Sequence, residues 1–194
     1  MHLSPQRART RQAILDAAAA RWTHDPTASL SHVASAAGVG RATIHRYFPD
    51  RSALQSALVT DSWTTLLGTV REAQPSMGSA IEVIQRIVTA MVYEGDRVRY
   101  LFTATEGSPS DEDAGIAQTV DELILDEIKR GQHEGTLDPA VPPRWIELMI
   151  WSTVYTGLQA ASDELVPRHG VEALIHRTLR RMITIDSQGS PGHP

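Results

Sequence analysis

Residues 29–58 read SLSHVASAAGVGRATIHRYFPDRSALQSAL. The stretch spells two short helices joined by a Gly-Val-Gly corner, then the start of a third. Ser29 is placed to cap the first helix, because its hydroxyl can take an orphan backbone N–H. Val33, Ala34 and Ala37 recur at helical spacing and give that helix one apolar side. Gly38 ends it, where a left-handed backbone is wanted. Val39 plugs the corner. In the next helix Ile44 and Phe48 point inward at i, i+4, which turns Arg41, Thr43, His45, Arg46 and Tyr47 elsewhere. Pro49 stops it, and Asp50 is placed to cap the helix that follows. Two short helices across a glycine corner form the helix-turn-helix pattern, whose second helix enters the DNA major groove. A plain helical hairpin has the same outline. The exposed face separates the two readings: it carries two arginines, a histidine, a tyrosine and a threonine and no acid, whereas a merely solvated face mixes signs.

The pattern extends outward on both sides. Ile14-Leu15-Asp16-Ala17-Ala18, Ser29-Leu30, Val33-Ala34, Ala36-Ala37-Gly38-Val39, Thr43-Ile44, Tyr47-Phe48, and Arg51 with Leu54 fix residue type and spacing across the helices before and after the corner. On these residues the first 58 positions resemble the DNA-binding end of the TetR family of bacterial repressors. The resemblance implies an all-α fold. It places a three-helix helix-turn-helix domain at residues 1–50 and a helical ligand-binding and dimerisation domain at 51–186. The chain departs from the family pattern at Gly40, where Ser or Thr usually caps the recognition helix, and at His45, where a phosphate-contacting Tyr is usual. Arg51 replaces a usual Lys, Trp22 a usual Phe, and the loop to Ser29 lacks the customary glycine.

Charge supports the division. The net charge is −5. Residues 1–55 hold seven Arg against Asp16, Asp25 and Asp50, and the remainder is strongly acidic. A basic end attracts the phosphate backbone and an acidic body is repelled from it. There is no cysteine, hence no disulfide framework and no thiolate site. No apolar run approaches the ~20 residues that cross a bilayer, and residues 1–11 are too polar for a secretory signal. A cytoplasmic location without membrane partners is the expectation.

Periodicity predicts about nine helices. Residues 7–22 form the first, after about six disordered residues, and 51–73 form a long connector. Others are expected over 80–94, 96–105, 114–131, 144–165 and 171–185, with loops at 74–79 and 106–113 and a disordered tail at 187–194. Residues 144–165 are apolar nearly all round, as in a helix buried on more than one side. Thr153, Gly157 and Ala161 recur there at i, i+4, i+8 and would let another helix approach. With Leu174, Ile175 and Met182 of the last helix they form the expected homodimer interface, matching the two-fold symmetry of a protein that reads a palindromic double-stranded operator.

Arg41 and Thr43 are the expected base contacts, Arg41 bridging guanine O6 and N7. Ser29, Ser31, His45, Tyr47 and Arg51 are expected to hold phosphates, and Arg46 to do either. The resemblance implies a small-molecule pocket, which Trp63, Leu67, Met91, Phe102, Trp145, Met149 and Tyr155 would line; Arg97, Arg99 and Tyr100 would offer polar contacts or face water.

Catalysis finds little support. His24, Asp25, His32 and His45 lack metal-ligand spacing, and Glu122 with Asp126 has no Glu-x-x-His partner. Ser108 and Ser110 lack a nucleophile elbow. No phosphate loop is present, and Lys129 is the single lysine. No cofactor and no metal site are expected. The competing readings are a helical small-molecule sensor without DNA binding and a helical enzyme.

Overall fold

The computed structural model describes residues 4–73, 78–104 and 110–184. Its described residues form nine α-helices and one 3-10 turn: α1 (Pro5–His24), α2 (Leu30–Ala36), α3 (Arg41–Tyr47), α4 (Arg51–Ala73), α5 (Ala80–Tyr93), α6 (Gly95–Thr103), α7 (Asp111–His133), α8 (Pro143–Ser162), the turn Arg168–Gly170, and α9 (Val171–Ile183). The chain is all-α, as the sequence predicts. It forms two compact units, Met1–Leu66 with Glu94–Ala117, and Leu67–Tyr93 with Gln118–Pro194. The first unit is larger than the domain expected at 1–50, because it takes in most of α4, all of α6 and the start of α7.

Two helices, α1 and α7, begin two or three residues earlier than periodicity predicts, each through a cap. At α1 the Ser4 hydroxyl accepts from Arg7 N at 3.4 Å and Pro5 stands in the first turn, where a missing N–H costs nothing. At α7 Ser110 Oγ accepts from Asp113 N at 3.1 Å, and Asp113 accepts from Ser110 N and Oγ at 3.1 and 2.7 Å. Asp111–Asp113, expected as loop, is therefore helical, and its acids favour the positive helix end. The expected loop residues 74–77 and 106–109, with Ser108 among them, residue 105 at the expected end of a helix, and the expected tail at 187–194 lie outside the described residues.

The first unit is built on the predicted α1 stripe. Ile14, Ala18 and Trp22 meet Val33 and Ala34 of α2, Ile44 of α3, Phe48, and Leu54 and Leu58 of α4 in one buried cluster. Tyr100 of α6 joins it, its ring stacked on Trp22 with centroids 6.2 Å apart. Arg97 and Arg99 are both engaged inside the first unit. Arg97 Nη2 reaches Asp16 at 2.5 Å and Asp61 at 3.0 Å, and Nη1 reaches Glu94 at 3.2 Å. Burial works against its charge, but the bonds from Asp16 and Asp61 outweigh burial and raise its pKa. Arg99 is buried and donates to Thr23 O at 3.3 Å.

In the second unit Ile84, Ile87, Val88 and Met91 of α5 face a core shared with Ile146, Ile150 and Val154 of α8 and Val171, Ile175, Leu179 and Ile183 of α9. The small-residue stripe on α8 turns out to serve this core. A Cβ on Gly157 would stand 2.5 Å from Ile175 Cγ1 of the same chain. Gly157 and Ile175 are therefore packed on each other within the chain, while Gly157 is half-buried. Ala161 is buried and Thr153 half-buried. Leu174 and Met182 remain exposed, as do Trp145 and Leu148.

Glu147 is the charged group most at odds with its surroundings. It is 1% exposed on α8. Its Oε2 accepts from Arg144 at 2.7 Å, while Oε1 finds no partner among the described residues. Arg144 is shared with Asp121 at 3.1 Å. Burial first, then the Asp121 carboxylate, raise the Glu147 pKa to about 7, and Arg144 does not cancel them. A carboxyl whose folded pKa is raised contributes its full stability below the unfolded value of about 4.5, and that contribution fades as pH rises through about 7. Glu147→Gln, measured by thermal unfolding, should change little at acid pH and stabilise above neutrality, by on the order of 1–3 kcal/mol.

Candidate nucleic-acid interface

The face that would meet DNA is assembled from local bonds. Ser29 caps α2: its hydroxyl accepts from His32 N at 3.4 Å, and Ser29 N donates to His32 Nδ1 at 3.3 Å, a reciprocal capping box. Gly38 turns the corner at φ +66°, the left-handed region that favours glycine, and Val39 N returns to Ala34 O at 2.9 Å. Gly40 starts α3 with extended backbone and no side-chain cap. At the far end Asp50 Oδ1 accepts from Ala53 N at 2.8 Å and caps α4 as predicted.

This corner leaves Ser29, Ser31, Arg41, His45 and Arg46 exposed, with Thr43 and Tyr47 half-buried between α3 and its support. The Arg46 guanidinium lies 5.7 Å over the Tyr47 ring. His45 Nδ1 sits 3.1 Å from Pro49 O. Among α3's own residues the charge is wholly basic. Arg11 lies 5.7 Å over Phe48 and brings another cation to the end of α3.

Arg51 is placed differently from the expectation. Its guanidinium donates to the carbonyls of Ala28 and Pro26 and lies 4.6 Å over the Trp22 ring. Those partners use its planar fork and leave it holding the α1–α2 loop. A loop without its usual glycine is thereby pinned from α4. The only local signal was the pairing of an unusual Trp22 with Arg rather than Lys at position 51; Arg stacks and forks where Lys does neither.

The expected ligand residues fall separately. Trp63 is half-buried and Phe102 exposed in the first unit; in the second, Met91 is buried, Leu67, Met149 and Tyr155 half-buried, and Trp145 exposed.

A basic helix held across a glycine corner by a three-helix support defines a DNA-binding regulator of the helix-turn-helix class. Comparison with known proteins agrees. Residues 14–58 match the family described as bacterial regulatory proteins, tetR family. The chain is 33% identical over 183 residues to LfrR, an HTH-type transcriptional repressor of Mycolicibacterium smegmatis, covering 94% of this chain and 95% of that one. It is 33% identical over 159 residues to an uncharacterised HTH-type transcriptional regulator of Mycobacterium tuberculosis, covering 78% of this chain and 77% of the relative. The crystal structure of LfrR in complex with proflavine superposes with a TM-score of 0.71 at 32% identity, covering 90% of this chain and 96% of that one. KstR2 of Mycobacterium tuberculosis, at 15% identity and a TM-score of 0.69, covering 95% and 98%, shares the fold. The chain belongs to the TetR family. It is a DNA-binding transcriptional repressor of that family and not an enzyme. Among the described residues no helix is long and apolar enough to cross a membrane.

Two substitutions separate support from reading. Arg51→Ala should lower stability by about 1–3 kcal/mol, through lost bonds to two carbonyls and a lost cation–π contact, and Arg51→Lys should recover only part of it. Arg41→Ala should leave the melting temperature unchanged and relax base preference at one position per half-site. Calorimetry and binding to a panel of single-base variants measure the two effects.

Proposed function

We propose that the chain is a homodimeric repressor that reads a palindromic operator and is released from it by a small apolar or aromatic ligand. The observation that carries the DNA half is the acid-free face of α3, with Arg41, His45 and Arg46 exposed on a helix whose inward residue, Ile44, is fully buried. In this reading Arg41 and Thr43 contact bases, Ser29, Ser31, His45 and Tyr47 hold phosphates, and Arg46 serves either purpose. Arg51 drops out of the contact set. The reading head comprises the helices up to position 50, and the remainder to 186 binds ligand and dimerises. Repression of this kind takes place in the cytoplasm, beside the chromosome.

The partner helix is proposed to seat on the exposed apolar residues of α8 and α9. Leu174, Met182, Thr153 and Gly157 keep their expected role, joined by Leu148, while Ala161 and Ile175 are buried within the chain. Leu174→Glu combined with Met182→Glu should yield monomers in sedimentation at micromolar concentration, with folding intact by circular dichroism. A double variant that stays dimeric would move the interface elsewhere.

The release half rests on chain continuity. α4 runs unbroken from Arg51 to Ala73, and Glu94 alone separates α5 from α6. A ligand that favours another arrangement of the body therefore acts on the head. Leu67, Met91, Trp145, Met149 and Tyr155 of the second unit remain the proposed lining. The LfrR structure holds proflavine, which makes that planar aromatic cation the first compound to try. Binding linkage is reciprocal. A coupling of about 1–3 kcal/mol should weaken operator binding when proflavine is present, and operator should weaken proflavine binding by the same factor. Fluorescence titration of proflavine with and without operator measures it. Equal affinity in both conditions would mean that the compound does not work the switch.

A further inference from the structure

His45 stands on the exposed face of α3 with one ring nitrogen already committed. Its Nδ1 is 3.1 Å from Pro49 O. A carbonyl oxygen only accepts, so Nδ1 carries the hydrogen. In the neutral ring Nε2 is then a bare lone pair. A phosphate oxygen also only accepts, and neutral His45 has nothing to give it. The imidazolium has an N–H on both nitrogens and a charge. We propose that His45 contacts the DNA backbone only as imidazolium, so that DNA binding takes up a proton at each α3. The proposal rests on the reading of α3 as the DNA-facing helix.

The surrounding charges favour uptake on binding. Arg41 lies one turn back on α3 and Arg46 beside His45. The Arg11 guanidinium reaches the end of the same helix over Phe48. At the head of α4 stand Asp50, engaged in its cap, and Arg51, engaged on the α1–α2 loop. From α2, packed against α3, the one titratable group is His32. This set is mostly positive. An arriving phosphate reverses the balance. Imidazole is also the side chain that ordinarily changes charge between about pH 5 and 8.

His32 has the opposite requirement. Its Nδ1 accepts from Ser29 N at 3.3 Å, so that nitrogen must stay bare. A proton there breaks the capping box of α2. One histidine at this surface therefore favours DNA binding when protonated and the other favours an intact support when neutral.

Phosphate contacts carry no sequence information, so a mixed-sequence duplex suffices as the probe. Anisotropy of a labelled duplex of about 30 base pairs, at fixed low ionic strength, is read from pH 8 to pH 6. The wild type should tighten by about tenfold. His45→Gln should lose most of that slope. His45→Arg, always charged, should be flat and bind at pH 8 as tightly as the wild type at pH 6. His32→Gln preserves the capping box, since Gln is a usual partner in it, and should keep or steepen the wild-type slope. A flat wild type, or a His45→Gln variant with the wild-type slope, overturns the proton uptake while leaving DNA binding intact. Failure of any variant, His45→Arg included, to bind duplex at any pH overturns both this proposal and the DNA reading beneath it.

Discussion

Trp22 is the fixed point on which the reading head depends. Its indole Nε1 donates to Ala28 O at 3.0 Å and so closes the α1–α2 loop from inside. One contact on its ring is the Arg51 guanidinium, which brings the head of α4. Tyr100 of α6 stacks on it as well. One side chain thus sets the loop, the start of α4 and α6 relative to α1. The arrangement suits an amphipathic aromatic, which contributes a large apolar surface and one polar atom that needs a partner. With the loop fixed, Ser29 sits where it caps α2, and α2 sits where its apolar side supports Ile44. The position of α3 follows from these steps, none of which uses a residue of α3's outer face. That face is left free to be chosen for DNA.

A second tie is electrostatic. Arg97 gathers Asp16 from α1, Asp61 from α4 and Glu94 at the start of its own helix. One cation answers three carboxylates, so the geometry of the group is set by the arginine. Its side chain is only 12% exposed and those of Asp61 and Glu94 13% and 17%, which places these two pairs among those that lose more from a missing partner than surface pairs do.

What the sequence made legible follows the distance over which each feature acts. The Ser29 cap, the Gly38 corner at φ +66°, the Pro49 stop and the Asp50 cap each involve residues within a few positions, and each leaves a signature in residue type and spacing. The apolar stripes of α1 and α5 are read the same way. The Arg51 bonds to the loop were not legible because its partners lie 23 and 25 residues away, and no periodicity reports on such a bond. Arg97 was given to water or a ligand for the same reason, since Asp16 is 81 positions distant. The stripe of Thr153, Gly157 and Ala161 shows a further limit. A run of small residues announces a close helix neighbour but not whose helix it is, and Ile175 of the same chain fills it. The helix-turn-helix corner was legible because its elements are local; the ligand residues were named by hydrophobicity alone, which does not separate a lining from a core.

The central claim is that two copies of α3 read a two-fold symmetric sequence. It is tested most directly by selecting bound duplexes from a randomised pool with the full-length protein and sequencing them. The account predicts one enriched inverted repeat whose half-sites lie about one helical turn, or a multiple of it, apart, with a guanine in each half that loses its enrichment when Arg41 is alanine. A pool that remains random after repeated selection at low salt, or an enriched sequence without two-fold symmetry, would contradict it.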